Sequence, residues 1–424
     1  MSVSIAAAPS VPSDAPAAAI AAFVPEVQTP RPSPWPDPVI GVDPSPDSSP
    51  IASPLALATL PPTRTDRPVP TSFDKALKRK LKRIVSNTVK NRRVAGLSVA
   101  VRLPGGATWI GVAGHAEFRP PRKVRSDTVF AIASITKTFI AALILQLAEE
   151  GKLSLDEPFG AYNVDAPRGK KVTIRQLLSH RSGIHNYFES PKYARQVFSD
   201  RGRRWDYEDI MGLVKFGYCK PGRCYHYSNT NYVILGRIAE EAGGASLHKL
   251  LRDRFFEPLG LDDTVYQPHQ RPPRDAAHGH WRSADSYIDH TRESRVIPFM
   301  AAASVAGAAG AMASTAEDLA TWADALYGGE VLSPDSLRQM TRFRPPDGYG
   351  LGTRRRVFHG HRALGHGGSL RGFEGTMWYF PKEDVTIVLL SNQGLWLIDP
   401  PIRLLVKAVL GRSGTKAKGT RAAR

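Results

Sequence analysis

The sequence predicts an α/β (α+β) fold in which a central antiparallel sheet, formed from N- and C-terminal strands, is flanked by helices and carries an inserted helical subdomain. Two observations lead to this expectation. β-rich runs lie near both ends of the folded region, and segments with helical apolar spacing fill the interval between them. Strands from the two ends can pair in one sheet while helices cover its faces. Because no internal repeat is present, one folded unit accounts for the pattern.

Each end of the folded region contributes a predicted β-hairpin. At the N-terminal end, Gly96–Arg102 and Thr108–Val112 are separated by residues 103–107, whose Pro-Gly-Gly sequence is typical of a turn. At the C-terminal end, Thr376–Phe380 and Val385–Leu390 are joined by Pro-Lys-Glu-Asp. We therefore expect these strands to form the sheet.

Amphipathic segments predict the helices. The basic segment after Phe73 spaces its apolar residues like an ordinary surface helix with a solvated basic face. Ser314 and Glu317 have the spacing of a capping box at the start of another helix. The remaining predicted helices are Ile135–Glu150, Thr173–Leu178, Tyr232–Ala242, Ala316–Leu326 and Ile402–Leu410.

Composition divides the 424 residues into three parts. Residues 1–71, rich in Ala, Pro, Ser and Asp, predict a disordered segment, residues 72–411 a single domain, and residues 412–424 a basic disordered tail. No standard signal peptide is visible, because the first basic residue, Arg31, follows the short apolar stretch instead of preceding it. No apolar run reaches the roughly 18 residues that a bilayer span requires, so we expect no transmembrane segment.

The net charge of +18 comes partly from two basic clusters, one between Lys75 and Arg93 and one in the tail. Both favour attraction to anionic surfaces, but no nucleic-acid-binding motif accompanies them, and we expect no nucleic-acid partner. The only cysteines, Cys219 and Cys224, bracket a Lys-Pro-Gly-Arg turn. This turn could join the sulfurs in an oxidising compartment, and the sequence leaves free thiols equally open.

The first candidate for chemistry is Ser134-Ile-Thr-Lys137, which introduces an apolar helix. Positions three apart face the same side of a helix, so Lys137 can reach the Ser134 hydroxyl. A lysine in a partly desolvated cleft can share that proton and activate the nucleophile. The same spacing recurs at Ser72, Ser246 and Ser413, but only Ser134 has apolar flanks on both sides.

Two further segments carry polar groups typical of catalytic or binding sites. Tyr227-Ser-Asn229 follows a Pro-Gly turn and predicts a loop, where the tyrosine can transfer protons and the asparagine can bind a substrate amide. His366-Gly367-Gly368-Ser369 leads towards the C-terminal hairpin. Its glycines permit close approach of a ligand backbone, and its histidine can bind a carboxylate or assist proton transfer. Nothing at metal-ligand spacing accompanies this histidine, so we expect neither metal nor cofactor.

Taken in chain order, three motifs together resemble those of the serine β-lactamase and penicillin-binding superfamily, specifically its class C branch: Ser134-x-x-Lys137, Tyr227-x-Asn229 and His366-Gly367-Gly368. Segments 130–134, 177–183, 256–261 and 389–392 are also similar to landmarks of that family, so the resemblance covers roughly residues 95–395. It implies a β-lactamase/transpeptidase-like fold with the nucleophile at a helix start, in a cleft between an α/β domain and a helical domain.

The resemblance also implies roles for the motif residues. Ser134 would form the acyl-enzyme, and Lys137 and Tyr227 would shuttle its proton, with the identity of the base left open. Asn229 would orient the substrate, and His366 would replace the lysine of many relatives. The backbone N–H groups of Ser134 and Ser369 would form the oxyanion hole.

The expected function is that of a serine hydrolase, most simply a D-alanyl-D-alanine carboxypeptidase of the penicillin-binding type that acts on a small-molecule or peptide substrate such as cell-wall peptide. The alternatives are an esterase of the same fold, a weak β-lactamase, or a β-lactam-binding sensor that deacylates slowly. β-Lactams are the expected acylating ligands, and the expected location is extracytoplasmic, either periplasmic or secreted. Whether His366 and a neighbour such as Arg371 point into the cleft should separate peptidase from esterase.

Overall fold

A computed structural model describes residues 69–411, except positions 93, 216, 268, 274–275, 284–285 and 290–295, and describes only the backbone of the remaining residues between 281 and 289. The predicted disordered segment, apart from residues 69–71, and the predicted basic tail lie outside the described residues. The domain boundaries predicted from composition therefore remain predictions.

Strands lie mainly towards the two ends of the described chain, and helices mainly between them. The helices are α1 (Lys75–Arg92), α2 (Thr136–Glu149), α3 (Ile174–Leu178), α4 (Pro191–Ser199), α5 (Tyr207–Met211), α6 (Asn229–Gly243), α7 (Leu247–Leu251), α8 (Met300–Ala306), α9 (Ala316–Gly328), α10 (Pro334–Met340) and α11 (Asp399–Val409). The strands are β1 (Gly96–Arg102), β2 (Thr108–Phe118), β3 (Pro121–Lys123), β4 (Phe130–Ala131), β5 (Val265–Tyr266), β6 (His280–Ser283), β7 (Ser286–Asp289), β8 (Met312–Ser314), β9 (Arg354–Phe358), β10 (His361–Leu370), β11 (Phe373–Phe380), β12 (Val385–Ser391) and β13 (Gln393–Gly394).

A seven-stranded sheet with the order β3-β2-β1-β12-β11-β10-β9 forms the centre of the domain. Its neighbouring strands are antiparallel, and the two chain ends meet where β1 pairs with β12, for example at Val99 opposite Leu389. The prediction of an antiparallel sheet built from N- and C-terminal strands is confirmed. The segment inserted between strands β3 and β9 of this sheet carries most of the helices.

Both faces of the sheet are covered by apolar side chains, as the two-residue period of a strand requires. In β12, Ile387 and Leu389 join the cluster formed with α1 and α11, whereas Val388 and Leu390 join the larger cluster formed with α2, α6 and α9. Strand β12 is therefore buried on both faces. The nucleophile segment and the terminal helices lie on opposite sides of this sheet.

The structure corrects several local details. Thr315, not Ser314, caps α9, because its side chain accepts from the Asp318 backbone N–H at 3.1 Å while Ser314 ends β8. Asn229 begins α6 instead of lying on a loop. The β9–β10 hairpin was not predicted, because the Arg-rich, glycine-containing stretch lacks the alternation of a half-buried strand.

Helix α1 turns its basic residues outward and buries Leu81, Val85 and Thr88. The exposed residues Lys75, Lys78, Arg79, Lys80, Lys82, Arg83, Lys90 and Arg92 form no ion pair within the part of the chain that is described. Among the described residues, no helix combines the length and apolarity needed to cross a bilayer. The two cysteines form a disulfide, Cys219–Cys224.

Candidate active site

Ser134 lies in a 3₁₀ turn, Ala133–Ile135, between β4 and α2. The residue before it, Ala133, has a φ of 47°, in the left-handed region that non-glycine residues rarely adopt. Such strain persists only where surrounding packing holds it, and it is common next to catalytic groups. The turn leaves Ser134 partly exposed while its neighbours Ala133 and Ile135 are buried.

Lys137 is fully buried, and its ammonium group lies 3.0 Å from Ser134 Oγ. Its other two partners are Asn229 Oδ1 at 2.9 Å and the carbonyl oxygen of Ala309 at 2.6 Å. Both of these atoms can only accept hydrogen bonds. A neutral lysine would give its two N–H groups to them and turn its lone pair towards the serine hydroxyl.

The electrostatics favour this neutral lysine. Burial holds the pKa of Lys137 well below its ordinary value, and the positive charge of Arg354 lowers the pKa further. Burial acts in the opposite direction on Tyr227, whose pKa it raises above its ordinary value, only partly offset by Arg354 and a hydrogen bond with Ser134. The phenol therefore stays protonated at neutral pH while the amine can be free of its proton.

Tyr227 and Asn229 reach Ser134 and Lys137 from the start of α6. The Lys137 Nζ atom lies 5.0 Å from the centroid of the Tyr227 ring. Asn229 is 8 % exposed, and its amide bonds both Lys137 and Asn186, the latter with an N···O distance of 3.4 Å. This geometry gives Asn229 a role in holding Lys137, while contact with a substrate stays a prediction.

The loop before Tyr227 is fixed by the disulfide and by neighbouring backbone. The guanidinium of Arg168 donates to the Cys219 carbonyl at 2.5 Å, and the His226 backbone N–H donates to the His180 carbonyl at 2.9 Å. Covalent and hydrogen-bonded restraints therefore act within a few residues of the Tyr227 phenol. They limit how far that ring can move from Ser134.

Strand β10 carries the third motif past the nucleophile. Strand β9 pairs with β10 only as far as Gly365, so residues 366–370 have a free edge among the described strands. A Cβ atom on Gly368 would lie 2.2 Å from the carbonyl oxygen of Ile132 and 3.0 Å from the Ser134 backbone nitrogen. Only glycine permits this approach, which brings the backbone around Gly367 and Ser369 next to the Ser134 amide.

His366 is 2 % exposed and faces two tyrosines. Its Nε2 atom lies 3.0 Å from the Tyr349 hydroxyl, and its ring centroid is 6.3 Å from that of Tyr227. Burial, together with the charges of Arg354 and Lys137, holds the pKa of His366 well below its ordinary value. The histidine is therefore uncharged at neutral pH and cannot serve as a cation for a carboxylate.

The cation in this cleft is Arg354, a residue that sequence reasoning missed. Its guanidinium carbon lies 5.4 Å from the Tyr227 ring centroid and 5.2 Å from that of Tyr349. Its side chain is partly exposed and makes no hydrogen bond or ion pair within the described residues. Arg371, which the sequence offered as a neighbour of His366, instead lies 4.0 Å from the Phe198 ring centroid.

Tyr349 and His180 also escaped prediction as site residues. His180 belongs to a family-like segment but carried no assigned role, and Tyr349 lies in a Gly-rich stretch with no catalytic pattern. His180 is fully buried, its ring centroid 4.1 Å from that of Tyr227. No local signal could have joined these residues to the site. Among the described residues, no three His, Cys, Asp or Glu side chains converge to hold a metal ion.

A buried lysine beside a serine hydroxyl, a protonated tyrosine and a glycine strand at the serine amide together make a site for acyl transfer. Comparison with known proteins agrees with this geometry. The sequence profile of the beta-lactamase family matches residues 81–406. The chain belongs to the beta-lactamase family and is a serine hydrolase of that fold.

Individual relatives are about a quarter identical to this chain over the aligned residues. A D-aminopeptidase of Cereibacter sphaeroides is 26 % identical over 334 residues, covering 77 % of this chain and 61 % of that protein. A penicillin-binding protein of Bacillus subtilis is 27 % identical over 303 residues, covering 66 % of this chain and 64 % of its own length. The chain thus spans less than two thirds of these curated relatives.

One solved structure is similar to this protein over almost the whole length of the solved chain. The D-amino acid amidase from Ochrobactrum anthropi SV3, in complex with L-phenylalanine amide, superposes with a TM-score of 0.70 and 27 % identity. The match covers 79 % of this chain and 99 % of the amidase. This similarity confirms the predicted β-lactamase/transpeptidase-like fold.

Proposed function

We propose that this serine hydrolase is a D-peptidase of the carboxypeptidase type, which cleaves the last residue from a peptide that ends in a D-amino acid. The observation that carries the proposal is that the guanidinium of Arg354, beside Tyr227, has no hydrogen-bond or ion-pair partner among the residues that the structure describes. A peptide with a free C-terminal carboxylate would place that anion within reach of Arg354 while its leaving amine lies next to the Tyr227 phenol. Guanidinium and carboxylate form strong, charge-assisted hydrogen bonds.

The chemistry begins with proton transfer from Ser134 to Lys137. Ser134 Oγ forms a bond to the scissile carbonyl carbon, and the oxyanion lies towards the backbone N–H groups of Ser134 and Ser369. The C–N bond then breaks, and the proton held by Lys137 passes to the leaving amine through the Tyr227 phenol. Water hydrolyses the resulting ester by the reverse sequence of proton transfers, restoring Ser134. Lys137 is the base because its pKa is lowered while that of Tyr227 is raised.

Arg354 fits the carboxylate better than His366 does. The acidic side chain that acts on Arg354 electrostatically, Asp347, already forms an ion pair with Arg181. Asp347 is therefore engaged elsewhere, and the Arg354 guanidinium remains available to a ligand. An esterase needs no such group, because a neutral substrate offers no anion for the partly exposed Arg354 to bind. We therefore propose Arg354, in place of the predicted His366, as the residue that recognises the carboxylate.

A second candidate is hydrolysis of D-amino-acid amides or removal of N-terminal D-residues. Full-length similarity to a D-amino acid amidase and partial similarity to a D-aminopeptidase favour it. Such substrates carry a free amino group next to the scissile bond. The two candidates differ in which end of the substrate is charged, so matched substrates separate them.

The test compares an N-acylated D-Ala-D-Ala peptide with its C-terminal amide and with D-alanine amide. We expect the free acid to be preferred, and Arg354→Gln to lower kcat/KM for the acid by about tenfold to a hundredfold, as for loss of a charged hydrogen bond. Turnover of the peptide amide should be nearly unchanged. Arg355→Gln is the matched control, since Arg355 is exposed on the same strand.

Other outcomes would replace the proposal. Preference for D-alanine amide would establish the amidase, and turnover of small esters alone would establish the esterase. Penicillin hydrolysed in preference to the peptide would establish a weak β-lactamase. A penicillin adduct that persists without turnover of any substrate would establish the slowly deacylating β-lactam-binding protein. Ser134→Ala must abolish every one of these activities and adducts.

We also propose an extracytoplasmic location, with cell-wall peptide as the substrate. The Cys219–Cys224 disulfide supports it, because such bonds persist in oxidising compartments. A fractionation experiment that found the protein only in the cytoplasm with reduced cysteines would exclude this location.

A further inference from the structure

Three buried aromatic side chains connect strand β10 in the catalytic cleft with the start of helix α6. His366, Tyr349 and His180 are each at most 2 % exposed. The Tyr349 hydroxyl lies 3.0 Å from His366 Nε2 and 3.2 Å from His180 Nε2. Tyr349 therefore bridges two imidazoles, and the direction of each hydrogen bond depends on where the ring protons lie.

The partners of His180 determine its tautomer. The Ser228 backbone N–H, which can only donate, points at His180 Nδ1 with an N···N distance of 3.2 Å. The amide of Asn231 approaches the same atom at 3.2 Å, while its Oδ1 accepts from Ser182 Oγ at 2.6 Å. Nδ1 is thus an acceptor, and the neutral ring carries its proton on Nε2. His180 donates to Tyr349.

At the His366 end of this hydrogen-bonded series, a backbone carbonyl fixes the opposite tautomer. His366 Nδ1 lies 2.5 Å from the carbonyl oxygen of Gly367, which can only accept. Nδ1 therefore carries the proton, and Nε2 accepts from the Tyr349 hydroxyl. The other hydroxyl beside Tyr349, that of Tyr232, gives its proton to the Leu178 carbonyl at 2.9 Å. Tyr232 therefore has no proton to donate to Tyr349, and the hydrogen-bonded series runs from His180 through Tyr349 to His366.

We propose that Tyr349 and His180 are positioning residues of the catalytic centre, which hold His366 as the neutral Nδ1–H tautomer through a one-directional hydrogen-bond chain. His366 then offers the cleft neither an N–H from Nε2 nor a positive charge. The backbone of His180, at a φ of 56°, is in the left-handed region, as expected where packing forces a ring into place. The same ring contacts Tyr227, so the chain supports that phenol as well.

The charges around His366 make its protonation consequential. Arg354 on β9 and Lys137 on α2 both lower its pKa, after burial, and Tyr227 and Tyr349 are the titratable hydroxyls that face it. A proton on His366 would add a second positive charge, after that of Arg354, close to the neutral Lys137. A hydrogen bond donated to Nε2 stabilises the neutral ring and opposes that proton. Loss of the Tyr349 hydroxyl should therefore let His366 protonate at higher pH.

The first test needs no variant. Nitrogen NMR of the full chain labelled with ¹⁵N-histidine should show opposite tautomers for the two rings: a pyridine-like Nε2 for His366 and a pyridine-like Nδ1 for His180. His366→Gln and His180→Gln assign the signals. Two rings with the same tautomer, or a protonated His366 Nε2, would overturn the proposal. This readout involves no substrate, so it stands or falls independently of the proposed peptidase activity.

The second test is Tyr349→Phe, which removes the hydroxyl and keeps the ring. We expect the His366 nitrogen signals to move, kcat to fall about tenfold, and the acid limb of the pH–rate profile to move to higher pH. Tyr379→Phe is the matched control, because Tyr379 is 5 % exposed and its hydroxyl bonds Asp384 at 3.0 Å, in the β11–β12 hairpin. Unmoved His366 signals in Tyr349→Phe, or equal changes in both variants, would refute the positioning role.

Discussion

Arg354 should control the pH at which Ser134 becomes reactive, by acting on the charge of Lys137. Both cationic groups lie over the Tyr227 ring, at 5.0 and 5.4 Å from its centroid, so they are at most about 10 Å apart. At that separation, two unit charges repel by about 1.6 kcal/mol at an effective dielectric constant near 20, and by about 0.4 kcal/mol in water. Because the separation is an upper bound, each value is the smallest repulsion for its dielectric constant, and the partly exposed guanidinium lies between the two environments.

The direction of the change in the Lys137 pKa follows from the loss of the Arg354 charge. Arg354 disfavours protonated Lys137, so Arg354→Gln relieves the repulsion and raises the pKa of the lysine. The neutral base is then lost at higher pH than in the wild type. We expect the acid limb of the Ser134 acylation rate to move upward by at least about 0.3 pH unit if water screens the pair, and by about 1.2 units or more at the lower dielectric constant, because 1.36 kcal/mol corresponds to one unit.

The assay is the rate of Ser134 labelling by an uncharged fluorophosphonate between pH 4 and 9, at low ionic strength. Such a probe has no carboxylate, so loss of the substrate anchor does not affect it. Arg355→Gln removes the same charge from the neighbouring position and should leave the limb in place. An unmoved or downward-moved limb in Arg354→Gln would show that Lys137 is not the titrating base or that Arg354 does not act on it.

Three further predictions concern the glycine strand, the disulfide and a partly buried acid, Glu374. Gly368→Ala would place a Cβ atom 3.0 Å from the Ser134 nitrogen and should slow fluorophosphonate labelling by roughly a hundredfold or more with little change in circular dichroism. Replacing both Cys219 and Cys224 by Ser should lower the free energy of unfolding by about 2 kcal/mol, measured by urea denaturation, as a short closed loop implies. Burial raises the pKa of Glu374 to about 7, so its contribution to stability is lost as pH rises from about 4.5 through 7. Glu374→Gln should therefore gain stability over the wild type at pH 8 but not at pH 4, and an equal difference at both would contradict the assignment.

The sequence by itself determined the parts of this protein that depend on near neighbours along the chain. Ser134 and Lys137 are three positions apart, and one helical turn brings them together. The strand Gly96–Arg102 has the bounds that its sequence predicts, between the preceding helix and a Pro-Gly-Gly turn. The family resemblance then joined three motifs into one candidate site, since no single motif could have done so.

Only the tertiary structure decided which groups complete that site. Lys137 and Asn229 are 92 positions apart, and the Tyr349 hydroxyl reaches His180 over 169 positions. Arg354 enters the cleft because β9 pairs with the near half of β10 and stops at Gly365. These contacts depend on sheet order and strand register, which arise from long-range packing. The same packing removes water from Lys137 and His366, and burial is the largest cause of both lowered pKa values.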